Sequence, residues 1–194
     1  SHYGKQPPCC DAVVEAGVKR VYIGSRDPNP KVCGKGVEYL KKHGIEVFED
    51  VLKDECDKIN DIFFHYITTG MPYVIMKIAM SADGKTASKT GHSKWITNSI
   101  SRESSHFTRK RVSAIMVGIN TVLEDNPMLN CRCDNPKHPL RVVCDNNLRI
   151  PLECNLVKTA NEIPTLVATV SNNIDKIDRL KECGVDIVKT SGDR

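Results

Sequence analysis

Aromatic residues make up only 5% of this 194-residue chain, and Trp95 is the single tryptophan. Any core must therefore rest on Val, Ile, Leu and Ala. No apolar run approaches the ~20 residues of a membrane-spanning helix, and no signal peptide is visible, so a cytoplasmic setting is expected. Concentrated positive charge is also lacking. The net charge is +4, and the tightest basic group, Arg109-Lys110-Arg111, is short. A nucleic-acid surface wants a stronger, clustered excess, so the expected partners of these cations are small anionic molecules. The nine cysteines form neither an even set nor a regular spacing, which argues against a disulfide framework and for reduced, mostly buried thiols.

What remains is the composition of an ordinary α/β protein, 40% hydrophobic and 27% charged. Both ends look cut: the chain opens on Ser1 with no lead-in to its first motif and stops at Arg194 after a strand-like run. The pattern predicts a helix over 9–17, a strand over 18–24, a helix over 36–43 and a strand over 45–48. This alternation implies a parallel sheet. One long amphipathic helix is expected over 51–68, ended by Gly70-Met71-Pro72, where the domain boundary is placed: 1–70 and 71–194. The second part predicts strands at 73–80, 114–117, 140–145, 165–169 and 185–188, with helices at 99–111, 121–124 and 173–183. A turn is expected at Asp83-Gly84.

Two groups of residues carry chemistry. In Pro7-Pro8-Cys9-Cys10, two prolines fix the backbone just before a thiol at a helix start, where unpaired amides favour the thiolate and metal binding. A buried apolar role accounts for an isolated Cys pair equally well. The run Ser1-His2-Tyr3-Gly4 through Cys9, with Asp27-Pro28-Asn29-Pro30 and Gly34-Lys35-Gly36, resembles the zinc deaminase of the bifunctional deaminase–reductase family of riboflavin biosynthesis. The resemblance assigns Cys9, not Cys10, to the last of three zinc ligands and places His2 near the substrate. The family's His-x-Glu, which brings a ligand and the proton-shuttling carboxylate, is absent from the chain. A zinc deaminase needs three protein ligands and that carboxylate, so these residues alone are not expected to deaminate.

The second group is denser. Lys77-Ile78-Ala79-Met80-Ser81-Ala82-Asp83-Gly84-Lys85, Gly91-His92-Ser93-Lys94-Trp95-Ile96-Thr97, and Gly118 through Leu129 followed by Arg132 resemble, in order, the opening motifs of the same family's reductase. The implied architecture is the C-terminal part of a cytidine-deaminase-like domain followed by the N-terminal part of a dihydrofolate-reductase-like domain, with NADPH and zinc as cofactors. The implied substrate is a phosphoribosyl aminopyrimidine, first deaminated and then reduced at its ribose. By the same resemblance Ala79, Trp95, Thr121, Asp125 and Asn146 meet the cofactor. Ser93, Arg109, Leu129 and Arg132 meet the substrate, Asp125 lies near the reacting carbons, and Lys77 stabilises charge or relays a proton. Guanidinium groups suit the substrate phosphate because they bind it with paired hydrogen bonds.

By residue type alone each has a plainer role: Asp125 as a turn residue, Thr121 as a helix cap, Trp95 in a core or rim, Arg109 on a solvated helix face. The family's later Glu-Gly-Gly turn is also absent, which leaves the reductase incomplete as well. Two other readings fit the residues: a reductase carrying a degenerate deaminase remnant, or a non-catalytic α/β interaction module. An unfinished sheet leaves an edge open to self-pairing, so homo-oligomers are expected.

Overall fold

A computed structural model describes residues 7–29, 32 and 34–191. His2, Pro30 and the other residues of the opening motif before Pro7 lie outside them. The chain divides into two compact units, 1–77 and 78–194, and its architecture is α/β with parallel sheets.

The first unit begins with α1 (Cys9–Glu15), β1 (Arg20–Tyr22), α2 (Lys35–Lys42) and β2 (Glu46–Phe48). The strands pair in parallel, Val21 opposite Val47 and Tyr22 opposite Phe48, whose rings stack at 4.9 Å. Cys10, Leu40 and Ile45 form a small core with Val13, Val14 and Tyr39 around it. Helix α2 ends in a Schellman motif: Ile45 N–H donates to the Leu40 carbonyl and Gly44 N–H to that of Lys41, with Gly44 at φ +74. Leu40 and Ile45, the buried residues of that motif, join helix to strand.

The single helix expected over 51–68 is two helices, α3 (Lys53–Ile59) and α4 (Asp61–Thr69). Asn60 leaves helical geometry at φ −110, ψ 16, and its side-chain amide donates back to the Cys56 carbonyl. Such local bonding by Asn competes with the helix ladder. Nor is the apolar stripe a core: Ile59 is 78% exposed, and Phe63 and Tyr66 are exposed too.

The strand expected over 73–80 is likewise not formed. The segment runs without ladder hydrogen bonds, and Val74 and Met76 are each 81% exposed. An apolar run becomes a strand only where a partner takes up its N–H and C=O groups. The turn after it does form, with Ser81 accepting from Lys85 N–H and Gly84 at φ +79.

The second unit continues with α5 (Ser99–Arg111), β3 (Ala114–Gly118), α6 (Ile119–Asp125), β4 (Leu140–Cys144), α7 (Asn155–Lys158), β5 (Thr165–Thr169), α8 (Ile174–Glu182) and β6 (Asp186–Lys189). The four strands lie in chain order, all parallel. Helix α5 starts where the Asn98 side chain accepts from Ser101 N–H and ends on three basic residues that complement the helix dipole. Register puts Val117, Val143, Val167 and Ile187 on one face of the sheet. There they pack with Ile119 and Val122 of α6, Leu156 and Val157 of α7, and Ile177 and Leu180 of α8. Met116 and Val188, pointing the other way, are exposed. The strand carboxyl ends, Gly118, Cys144 and Thr169, therefore line up along one edge, where ligands of parallel sheets bind.

Candidate functional site

The best-organised polar cluster lies between α5 and the loop after α6. That loop starts where Asn126, at φ +42, closes α6 in the left-handed conformation. Asn126 is held from outside: its Oδ1 accepts from Asn155 N–H at 2.8 Å and its carbonyl from the Asn155 amide at 2.7 Å. Leu129, at φ +48, is buried and anchors the loop in the core. The chain then runs past α5, where Arg109 donates to the Asn130 carbonyl at 3.1 Å and Lys110 to that of Asp134 at 2.7 Å.

Arg132 lies along the edge of the His106 ring. Its N–H meets Nδ1 at 3.2 Å and its Nε meets Nε2 at 3.3 Å. A neutral imidazole has one acceptor nitrogen, so it takes these donors one at a time. Burial, then Arg109 and Arg132, push the His106 pKa below its ordinary value of 6.5. Burial and the nearby Arg132 also lower that of Arg109. Among the described residues neither arginine forms an ion pair with a carboxylate. Two neighbouring guanidinium groups that form no ion pair with a carboxylate among the described residues make a place for an anion.

Of the expected site residues, Arg109, Leu129 and Arg132 thus belong to one cluster. Asp125 is the exposed last residue of α6, four positions before Leu129, and Thr121 is exposed on the same helix. Asn146 follows β4; its carbonyl accepts from the Thr169 hydroxyl at 3.0 Å, leaving the side chain exposed beside the strand carboxyl ends. Ser93 and Trp95 sit on the exposed stretch before α5, and the Trp95 ring carries the Arg102 guanidinium 4.1 Å above it. No hydrogen bond or ion pair among the described residues joins Ser93 or Trp95 to Asp125 or Arg132. Ala79 is half-buried and Lys77 is exposed. His106 was not foreseen from the sequence; its place one helical turn before Arg109–Lys110 is the signal that could have found it.

The first unit holds a cavity of about 520 Å³, lined by Cys9, Val21, Ser25, Asp27, Leu40 and Glu49 among others. Cys9 stands at the start of α1, after Pro8, and is exposed. Arg26 donates to Glu49 at 2.8 Å and holds its carboxyl below the ordinary range. No group of three or more His, Cys, Asp or Glu among the described residues could hold a metal ion. The described donor set does not complete a zinc site.

A family profile for the RibD C-terminal domain matches residues 72–190. The chain is 54% identical to the riboflavin biosynthesis protein RibD of Actinobacillus pleuropneumoniae, over 96% of this chain and 50% of that protein. With the RibD of Aquifex aeolicus the identity is 43%, over 99% of this chain and 54% of the relative. The chain spans about half the length of the curated relatives it matches. Among solved structures, Acinetobacter baumannii RibD superposes with a TM-score of 0.82 at 38% identity, covering 98% of this chain and 53% of that one. The Thermotoga maritima diaminohydroxyphosphoribosylaminopyrimidine deaminase/5-amino-6-(5-phosphoribosylamino)uracil reductase gives 0.81 at 37% identity, over 98% and 59%.

Proposed function

The chain belongs to the RibD family, and from that premise we propose that residues 71–194 form part of a reductase domain that takes hydride from NADPH to the ribose of a phosphoribosyl aminopyrimidine. Residues 1–70 are read as the closing part of a pyrimidine deaminase domain. The observation that carries the reductase reading is the pairing of Arg109 and Arg132 around His106 without an acidic partner.

In this reading Arg109 and Arg132 hold the substrate phosphate, and Leu129 and Ser93 border the sugar and pyrimidine. His106, kept neutral by burial and the two cations, turns Arg132 without adding a charge that would compete for it. Asp125 lies where the ribose would enter beside the nicotinamide. Thr121, on the helix that follows β3, and Asn146, after β4, present exposed polar side chains that in this reading meet the dinucleotide. NADPH, when bound, supplies the hydride. The protein's share is to bind, orient and shield the reactants. No deamination step is derived, because the described residues do not complete a zinc site.

Ribose 5-phosphate tests the anion site without requiring turnover. Arg132→Ala is expected to weaken its binding about ten- to a hundredfold, the range for one charge-assisted hydrogen bond at ~1.5–3 kcal/mol. Unchanged affinity in calorimetric titration would remove the basis for the phosphate site.

A further inference from the structure

The turn that carries Arg132 also brings two thiols together. Cys131 Sγ and Cys133 Sγ lie 3.1 Å apart. Cys131 is 2% exposed, and its thiol also donates to the His106 carbonyl at 3.4 Å. Cys133 is half-buried and reaches solvent. The backbone around them is pinned at three points. Cys131 N–H donates to His138 Nδ1 at 3.2 Å, Arg132 N–H to His106 Nδ1, and Lys110 to the Asp134 carbonyl. The sulfurs are therefore held together by their frame, and a disulfide at ~2.05 Å needs them to close by about 1 Å.

We propose that Cys131 and Cys133 are a dithiol modification site, which a small-molecule disulfide of the glutathione class converts to an intrachain Cys131–Cys133 disulfide. The accessible Cys133 gives its proton to solvent, and its thiolate attacks one sulfur of the small disulfide, breaking that bond and releasing one thiolate. Cys131 then loses its proton and attacks Cys133 Sγ, forming the intrachain bond and displacing the second thiolate. Two protein thiols are oxidised, one external disulfide is reduced, and the two released thiolates take up the two protons. The second step is intramolecular between groups already in contact, so the mixed disulfide is short-lived. Its hydrogen bond to Cys131, then burial, raise the Cys133 pKa, so the first step quickens as pH rises. This site stands apart from the reductase reading, since its detection needs neither substrate nor cofactor.

Peptide mapping tests it. The folded chain is incubated with oxidised glutathione, quenched in acid, alkylated under denaturing conditions and digested with trypsin. Cleavage after Arg132 separates the two cysteines, so the expected product is peptide 112–132 joined to peptide 133–137, lighter by two hydrogens than the reduced pair. It should accumulate faster at alkaline than at neutral pH. Cys131→Ser should instead leave a stable glutathione adduct on Cys133. Persistent adducts on Cys133 in the unaltered chain, linkage of either thiol to another cysteine, or recovery of both as alkylated thiols would each overturn the proposal.

Discussion

The Arg141 guanidinium, on β4, donates to the Met128 carbonyl at 3.2 Å and so fastens the central sheet to the loop that carries Leu129 and Arg132. The side chain is fully buried and forms no ion pair with a carboxylate among the described residues. Its remaining bonds go to the carbonyls of Leu156, Thr159 and Ile163 and the hydroxyls of Thr159 and Thr165. Burial lowers its pKa, with Cys154 and Glu162 opposing; a guanidinium nevertheless stays charged. One cation thus gathers β4, β5, α7 and the loop that leads to Arg132.

Arg141→Met keeps the bulk of the side chain and removes its donors. The carbonyls of Met128, Leu156, Thr159 and Ile163 then lose a donor, and the single Thr165 hydroxyl can serve only one of Leu156 and Ile163, at ~1–3 kcal/mol for each buried group left unsatisfied. A loss of about 3 kcal/mol or more is expected, read as a lower urea midpoint with an unchanged slope. A variant within ~1 kcal/mol of the parent would show that water or a rearranged loop replaces the guanidinium.

Much of this framework could be read from residue order. Strand 165–169 and helix 99–111 fall where alternation and the closing basic run place them, because each element supplies its own punctuation and finds its partner nearby. Expectation failed where the outcome depends on distant residues. The run Tyr73–Met80 has the composition of a strand, but composition cannot say whether a neighbour stands ready to pair. Asn60 splits the helix over 51–68 through a side-chain bond that an apolar count ignores. Helix α7, four residues long, has too few turns to show a period. In the Arg109–Arg132 cluster, the two arginines were singled out by family resemblance, whereas His106 and Arg141 were not. Their roles come from burial and from contacts 26 and 13 positions away.

Gly184 closes α8 as Gly44 closes α2. Val185 N–H donates to the Leu180 carbonyl at 3.0 Å and Gly184 N–H to that of Lys181 at 2.8 Å, with Leu180 and Val185 both in the core. At φ +85 an added methyl is strained, and there it would also collide with the Asn161 side chain. Gly184→Ala should cost ~1–2 kcal/mol from the left-handed backbone, plus the steric conflict. Gly44→Ala, with open space around it, should cost the backbone part alone. Adding Asn161→Ala to Gly184→Ala separates the two terms: unfolding measurements should recover the steric part and leave the backbone part. Equal losses for the single and double variants would show that Asn161 simply moves aside.

His106 makes the site sensitive to mild acid, and the direction follows from its neighbours. Burial first, then Arg109 and Arg132, disfavour the imidazolium in the folded protein, while a bond to the Asn130 backbone opposes them only in part. The unfolded chain therefore takes up the proton at higher pH, near 6.5, than the folded one. Where the unfolded state binds more protons, stability rises with pH. The contribution of His106 is accordingly complete above 6.5 and declines as pH falls from there through the folded pKa. Below that value both states are protonated and the dependence ends. Ring resonances followed by NMR, with His106→Gln to assign the signal among six histidines, should give a midpoint below 6.5. Arg132→Ala should move it upward part of the way, since burial, the larger cause, remains. A midpoint at or above 6.5 in the unaltered protein would mean that Arg109 and Arg132 do not crowd the ring, and the anion site built on their proximity would go with it.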